Sequence, residues 1–227
     1  MRHARLPEVR ESTRQAVQLG HGLDAMGIEV PGAVQASLLA FAELLCKWNR
    51  TYNLTALNDP DKVLSHHLLD SLAVLPYVPP GRLLDVGSGG GMPGIPLAIA
   101  RPDLHVTLLD SNSKKTAFLQ QAMIELTLPN ISVHCGRVEQ YHPSIGFAAI
   151  VSRAFSELAD FVGLTRHLLG AGGQWLAMKG VWPHDEIERL PADVRLDVVH
   201  RLQVPGVEGE RHLVVMRSAD AYSSGGS

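Results

Sequence analysis

Arg82-Leu83-Leu84-Asp85-Val86-Gly87-Ser88-Gly89-Gly90-Gly91-Met92-Pro93-Gly94 is the stretch around which the chain is organised. Its apolar run, Leu83, Leu84 and Val86, reads as a buried parallel strand, because such strands are covered on both faces and lose the in-and-out alternation of half-exposed ones. The run stops in a cluster of glycines, and a helix is expected to start near residues 93–96. Glycine permits the sharp turn and lets a ligand approach the main chain. The helix start offers free N–H groups and a partial positive charge. Strand, glycine turn and helix N-terminus, in that order, are the parts of a nucleotide-cofactor site.

Two cofactors compete for it. Gly89, Gly91 and Gly94 fit G-x-G-x-x-G, the dinucleotide fingerprint, which is weak alone. Asp85, Gly87, Gly89 and Gly91 fit D-x-G-x-G-x-G, which resembles the first motif of class I S-adenosylmethionine (SAM) methyltransferases. Asp85 separates the two. A carboxylate at the strand end would repel the pyrophosphate of NAD, whereas SAM carries a sulfonium and an ammonium and no phosphate. The residues favour SAM over NAD and over an ordinary glycine-rich turn.

Working outward, strands are expected at 82–87, 105–110, 131–135, 147–152 and 174–178, with helices near 94–100, 113–126 and 156–169. Ser156 is placed to cap the last of these helices, and a short helix is expected after Pro183. Alternation of this kind implies a parallel sheet with helices on both faces. Two final strand-like runs, 198–204 and 212–217, are too close for a crossover helix and should pair as an antiparallel hairpin. The expected fold is therefore α/β, a Rossmann-like class I SAM-dependent methyltransferase with a seven-stranded sheet and a terminal hairpin.

Upstream, Val34, Leu38, Phe41, Leu45 and Trp48 recur at helical spacing and give one apolar face after Pro31. A second helix is expected over 61–75, capped by Asp59 ahead of Pro60. The chain thus divides into a flexible N-terminal arm (1–25), a helical extension (26–80), a SAM-binding core (81–217) and a disordered tail (218–227).

The chain has 227 residues, 45% of them apolar, and a net charge of −3, so bulk charge does not announce a nucleic-acid partner and any such surface is a local patch. Cys46 and Cys135 stand far apart without a C-x-x-C, which argues against a disulfide framework and for a reducing cytoplasm. Neither a membrane-length apolar run nor a secretory leader is read. No metal site and a monomer are expected.

In open α/β sheets ligands bind beyond the carboxyl ends of the strands. That rule selects Gly87, Gly89, Gly91 and Met92 after the first strand, and Asp110 at the end of the second, where a carboxylate can accept both ribose hydroxyls. After the third strand, Val138 would lie against adenine with Glu139 at its edge. Arg153, after the fourth, could pair with Asp85, with the SAM carboxylate or with a substrate phosphate, since a charge at a cleft needs a partner. Cytosine C5 methylation needs a cysteine nucleophile, and neither cysteine lies in the loop after the fourth strand. Adenine N6 methylation typically uses an [N/D]-P-P-[Y/F/W] loop, and Ser152-Arg153-Ala154-Phe155 stands there instead.

Several strings converge in order: Lys47-Trp48-Asn49 with Tyr52-Asn53-Leu54-Thr55; His67-Leu68-Leu69-Asp70-Ser71; the glycine motif extended by Pro93-Gly94-Ile95-Pro96; Leu109-Asp110-Ser111 with Lys114-Lys115; Arg137-Val138-Glu139; Ser152-Arg153-Ala154-Phe155; Lys179-Gly180; and Gly209-Glu210-Arg211-His212. Together they resemble the bacterial RsmG (glucose-inhibited division protein B) family over about residues 40–217. The resemblance implies methyl transfer from SAM to guanine N7 in the helix-18 loop of 16S rRNA, with the 30S subunit as partner. It carries SAM contact onto Gly87, Met92, Val138, Glu139 and Arg153. Met92 stands where a leucine is common, and Ser65-His66 where an arginine often precedes the His-x-x-Asp-Ser string.

Guanine N7 has an in-plane lone pair and no proton to lose, so no general base is assigned and catalysis is mostly alignment. RNA contact is expected from Arg50, Lys114, Lys115, Arg137, Lys179 and Arg211, with Tyr52 available for base stacking and Trp48 turned to the core. The competing readings are a methyltransferase for a small molecule or protein, and a SAM- or NAD-binding sensor without catalysis.

Overall fold

The computed structural model describes residues 5–57, 59–153, 155 and 157–219, with side chains from residue 13 onward. The apolar runs form β1 (Arg82–Val86), β2 (His105–Asp110), β3 (Ile131–Cys135), β4 (Phe147–Ser152) and β5 (Leu169–Lys179). The last two strands are β6 (Val194–Leu202) and β7 (Arg211–Ser218). They form one sheet in the order β3-β2-β1-β4-β5-β7-β6. The first five strands are parallel; β7 runs antiparallel to both β5 and β6. The terminal hairpin expected from the short 206–209 turn is present, and its second strand lies inside the sheet.

Helices α5 (Gly94–Ala100), α6 (Ser113–Glu125), α7 (Leu158–Thr165) and α8 (His184–Glu188) follow strands β1, β2, β4 and β5. Asn112 caps α6 by accepting from the Lys114 and Lys115 N–H groups. Ser156, the expected cap after β4, lies outside the described residues. β5 begins at Leu169 rather than at the expected 174: Gly170, Gly172 and Gly173 run within its irregular first half, where the pairing with β4 shifts register between Phe147 and Ala149.

Two helices lead the chain, α1 (Arg5–Ala25) and α2 (Gly32–Tyr52). The flexible arm expected over 1–25 is instead helical from Arg5, and it docks: Leu19 and Leu23 are fully buried. Arginines at the start of the chain masked this apolar pair. Leu38, Phe41 and Leu45 of α2 join the same core as Ile95, Leu97, Phe118 and Leu119, so the helical extension packs on one face of the sheet. The other face buries Phe147, Phe161, Trp175 and Met216. The tail from residue 220 lies outside the described residues.

The second expected helix is capped by Asp59, which accepts from the Asp61 N–H at 3.0 Å. It is not a single α-helix. α3 (Pro60–Val63) passes into a π-helical stretch, Leu64–Leu69, before α4 (Asp70–Leu72) resumes the α form. Leu64, Leu68, Leu69 and Leu72 face the core through the wider turn, and His66, His67 and Asp70 turn toward the sheet's carboxyl edge. Such π segments often sit at functional sites.

Candidate active site

The glycine turn after β1 is built from its buried underside. Gly87, Gly89 and Gly91 adopt φ of 72°, 57° and 89°, a left-handed backbone that side chains disfavour. Beneath them Asp85 is fully buried, and its Oδ2 accepts from the Gly94 N–H at 2.9 Å. Burial pushes the Asp85 carboxyl up to about 7, against the Gly94 N–H and the Arg153 charge, which act the other way. Its second oxygen, Oδ1, has no hydrogen-bond partner among the described residues. A Cβ on Gly94 would stand 2.3 Å from Leu108 Cδ2 and 2.7 Å from Asp85 Oδ2. Asp85 therefore clamps the start of α5 under the turn. The free N–H expected at Gly94 is already used.

Above the turn, Asp110 closes the far side. Its Oδ2 accepts from the Gly89 N–H at 2.9 Å and its Oδ1 from the Asn112 N–H at 2.8 Å. Asp110 is thus not the cap of α6, and each carboxylate oxygen keeps acceptor capacity. A cavity of about 280 Å³ opens beside it, lined by Val86, Gly87, Leu109, Asp110, Val138 and Phe155 among others. Gly136, Arg137 and Glu139 border the same cavity. Apolar walls with a carboxylate at one end suit a flat heterocycle joined to a diol.

Arg153, leaving the end of β4, lines a second cleft. Its guanidinium does not pair with Asp85. It donates to Asp70 Oδ2 at 3.3 Å and to the His66 carbonyl at 3.2 Å, with His67 Nδ1 at 3.4 Å. Arg211, opening β7, donates to the other oxygen of the same carboxylate, Asp70 Oδ1, at 3.2 Å. A buried carboxylate is costly unless paired, and here it is paired twice. His67 Nδ1 stands between the His66 carbonyl at 3.1 Å and the Arg153 guanidinium at 3.4 Å, and its Nε2 pairs with Thr55 Oγ1 at 2.7 Å. Burial, then the Arg153 charge, lowers the His67 pKa to about 4, so the ring is neutral at pH 7. These groups line a cavity of about 380 Å³ with Leu57, Met178, Lys179 and His212.

This arrangement has relatives. A model of the family described as rRNA small subunit methyltransferase G matches residues 34–214. The chain is 57% identical over 201 residues to "Ribosomal RNA small subunit methyltransferase G" of Neisseria meningitidis serogroup C, covering 88% of this chain and 97% of that protein. It is 56% identical to the protein of the same name from Stutzerimonas stutzeri, covering 91% and 97%.

The chain belongs to the rRNA small subunit methyltransferase G family.

Solved structures show the fold alone. A SAM-dependent methyltransferase from Aquifex aeolicus superposes with a TM-score of 0.54 at 18% identity, covering 72% of this chain and 96% of that one. A ribosomal protein L11 methylase from Lactobacillus delbrueckii gives 0.52 at 16% identity, covering 71% and 80%.

Within this family member the expected residues separate into groups. Gly87, Asp110, Val138 and Glu139 come together around the first cavity. Arg137, expected on RNA, borders it too. Asp85 and Met92 do not reach it: Asp85 is sealed beneath the turn, and the Met92 side chain is buried in the core, its Cε beside Gly90 opposite Leu45. Arg153 and Arg211 line the second cavity. Lys179 lines it as well, but its ammonium is bound to Glu186 at 2.7 Å and to the Phe155 carbonyl at 3.2 Å, an anchor between β5 and α8. Arg50 and Lys114 are exposed and Lys115 half-exposed, away from either cavity lining. Tyr52 is 46% exposed and stacks on Trp48 with ring centres 5.0 Å apart. Asn49, buried, holds the 53–57 turn by accepting from the Thr55 N–H and donating to the Leu57 carbonyl.

Asp70 and His67 are the functional residues that the sequence reading quoted without assigning a role. A signal was there. A carboxylate within Leu68-Leu69-Asp70-Ser71-Leu72 is a charge in an apolar run, and such a charge requires a partner when buried.

Proposed function

We propose that this protein transfers a methyl group from SAM to N7 of a guanine in the helix-18 loop of 16S rRNA, acting on the small ribosomal subunit in the cytoplasm. Membership of the family makes it a SAM-dependent small-subunit rRNA methyltransferase. The position of the guanine and the residue roles are our own reading. The observation that carries it is the pair of cavities beyond the carboxyl ends of the parallel strands, one bordered by Asp110 and one by the Asp70–Arg153–Arg211 cluster.

The residues present fit SAM. Left-handed Gly87 brings bare backbone to the cleft, Asp110 keeps lone pairs for the ribose hydroxyls, and Val138 and Phe155 provide faces for adenine. When bound, SAM supplies an electrophilic methyl on a sulfonium. The protein's part is to hold acceptor and donor in line and to exclude water. Guanine N7 attacks with its in-plane lone pair, so no side chain has to accept a proton. The purine becomes cationic as the bond forms. Asp70 keeps the two arginines from leaving a bare positive field beside it. Neutral His67 adds no further charge.

Labelled SAM with 30S subunits from a strain lacking this gene, followed by nuclease mapping, tests the reading. Label on guanine N7 in the helix-18 loop supports it. SAM binding without that label removes the acceptor assignment. A small-molecule or protein acceptor is disfavoured because the second cavity is rimmed by arginines rather than closed by apolar residues.

A further inference from the structure

Beyond the second cavity the loop from β5 to α8 carries Gly180-Val181-Trp182-Pro183. Val181 is 75% exposed and Trp182 40% exposed, and among the described residues they are the one pair of sequence neighbours that are both large, apolar and exposed. Two exposed apolar neighbours on a tip expose surface that folding alone gives no reason to leave in water.

The tip is held rather than loose. His212, buried and paired across the sheet with Lys179, donates from Nδ1 to the Gly180 carbonyl at 3.1 Å. The Trp182 ring meets His212 edge-on, with centres 5.5 Å apart at 82°, and leans on His184 at 5.6 Å. The indole plane is fixed by two imidazoles and the rest of it faces solvent. Gly180 and His212 both line the second cavity, so the indole packs against a residue of its wall.

Residues 180–184 contain no lysine or arginine, and Asp185 and Glu186 follow at the start of α8. The tip is therefore a poor seat for a phosphate and a good one for the face of a base. Phosphate contact falls to the neighbouring hairpin, where Arg211 lines the cavity and the exposed Arg201, across from His212 on β6, lies 3.6 Å from Glu210. A fixed, half-exposed aromatic ring next to cationic side chains is the arrangement by which single-stranded nucleic acid is held.

We propose that Trp182, backed by Val181, is a stacking subsite for an unpaired RNA base flanking the acceptor guanine; this rests on the reading of the second cavity given above. A base seated there keeps the strand open beside the second cavity and sets which unpaired nucleotide can enter.

The test uses the full chain and the Trp182→Ala, Trp182→Phe and Ile145→Ala variants. Ile145 is an exposed apolar residue at the opposite end of the sheet, ahead of β4. Two readouts are taken at one salt concentration: anisotropy of a fluorescein-labelled oligoadenylate, and the KM for unmodified 30S subunits. Trp182→Ala should weaken both roughly tenfold to a hundredfold, the range of one lost base–aromatic stack, with kcat at saturating 30S and SAM affinity by calorimetry within about twofold. Trp182→Phe should recover most of the loss, and Ile145→Ala should match the parent. Wild-type values for Trp182→Ala in both readouts overturn the subsite while leaving the acceptor reading standing; so does a Phe variant as weak as the Ala variant. Oligoadenylate binding that depends on Trp182, with no methyl label on 30S, upholds the subsite and overturns the acceptor reading. A parent chain that neither binds the oligoadenylate nor labels 30S overturns both.

Discussion

Arg211 Nε donates to Asp70 Oδ1 across 3.2 Å, joining two residues 141 positions apart in the chain. The same carboxylate takes Arg153 on its other oxygen. Asp70→Ala removes both acceptors and should lower stability by about 1–3 kcal/mol, the range for hydrogen bonds to charged groups. The cost stays below that of a fully enclosed pair because both guanidinium groups keep a path to water. Urea unfolding of Asp70→Ala, Arg211→Ala and the double variant should show strong non-additivity. Additive losses would mean that Asp70 and Arg211 are not coupled.

Arg153→Ala should cut methyl transfer at least about tenfold, more than it cuts stability, because Arg153 leaves the end of β4 and lines the second cavity. Arg153→Lys should recover little: a single ammonium lacks the second nitrogen that stands beside His67 Nδ1 while Nη1 serves the Asp70 carboxylate and the His66 carbonyl. Activity and thermal melts on the same preparations separate the two effects. Full activity in the lysine variant would reduce Arg153 to a point charge.

Asp110→Asn should weaken SAM binding by roughly tenfold to a hundredfold, since an amide offers one acceptor oxygen where the carboxylate offers two and sets an N–H against either Gly89 or Asn112. Calorimetric titration with SAM reads this directly. Unchanged affinity would remove Asp110 from the cofactor site.

Asp85 and His67 should pull stability in opposite directions as pH changes. The Asp85 pKa rises from 3.8 to about 7 on folding, so the folded state holds a proton that the unfolded chain releases, and stability falls as pH climbs through that window. The His67 pKa falls from 6.5 to about 4, so its contribution is present above 6.5 and is lost as pH drops toward 4. Between pH 4 and 6.5 the two oppose. Asp85→Asn should leave stability rising with pH across that interval, and His67→Gln should leave it falling. Melting curves at pH 4.5, 5.5 and 6.5 give the two slopes; slopes of the same sign would contradict the assignment.

Gly94→Ala should destabilise by about 1–3 kcal/mol and loosen SAM binding together, because the new methyl must displace Leu108 or the Asp85 carboxylate that positions the turn. Denaturant midpoints and SAM affinity should move in step. A stable variant that binds SAM normally would show that the clamp under the turn is dispensable.

Much of this architecture is legible in the chain. Leu83, Leu84 and Val86, or Val106 to Leu109, can only be buried strands between glycine and turn residues, and Asp59-Pro60 marks a helix start by capping chemistry alone. Local signals end there. Leu64–Leu69 has the composition of any helix, and the extra residue in its turn is set by what it packs on rather than by propensity. Asp70 reads as polar or buried until Arg153, 83 residues on, and Arg211 are brought to it. Lys179 reads as a cleft cation, and only the fold supplies Glu186 at 2.7 Å. Leu19 and Leu23 were hidden by the arginines around them, because docking depends on the surface they meet.

The interior place of β7 bears on when the protein becomes competent. β6 is synthesised before β7, the strand that must separate it from β5. A nascent chain stopped short of residue 211 carries the glycine turn and Asp110, yet lacks the second arginine on Asp70, the His212 wall and the anchor of Gly180. Such a fragment lacks two of the side chains that wall the second cavity, so the making of β7, and not the earlier closing of the glycine turn, is the step that completes it.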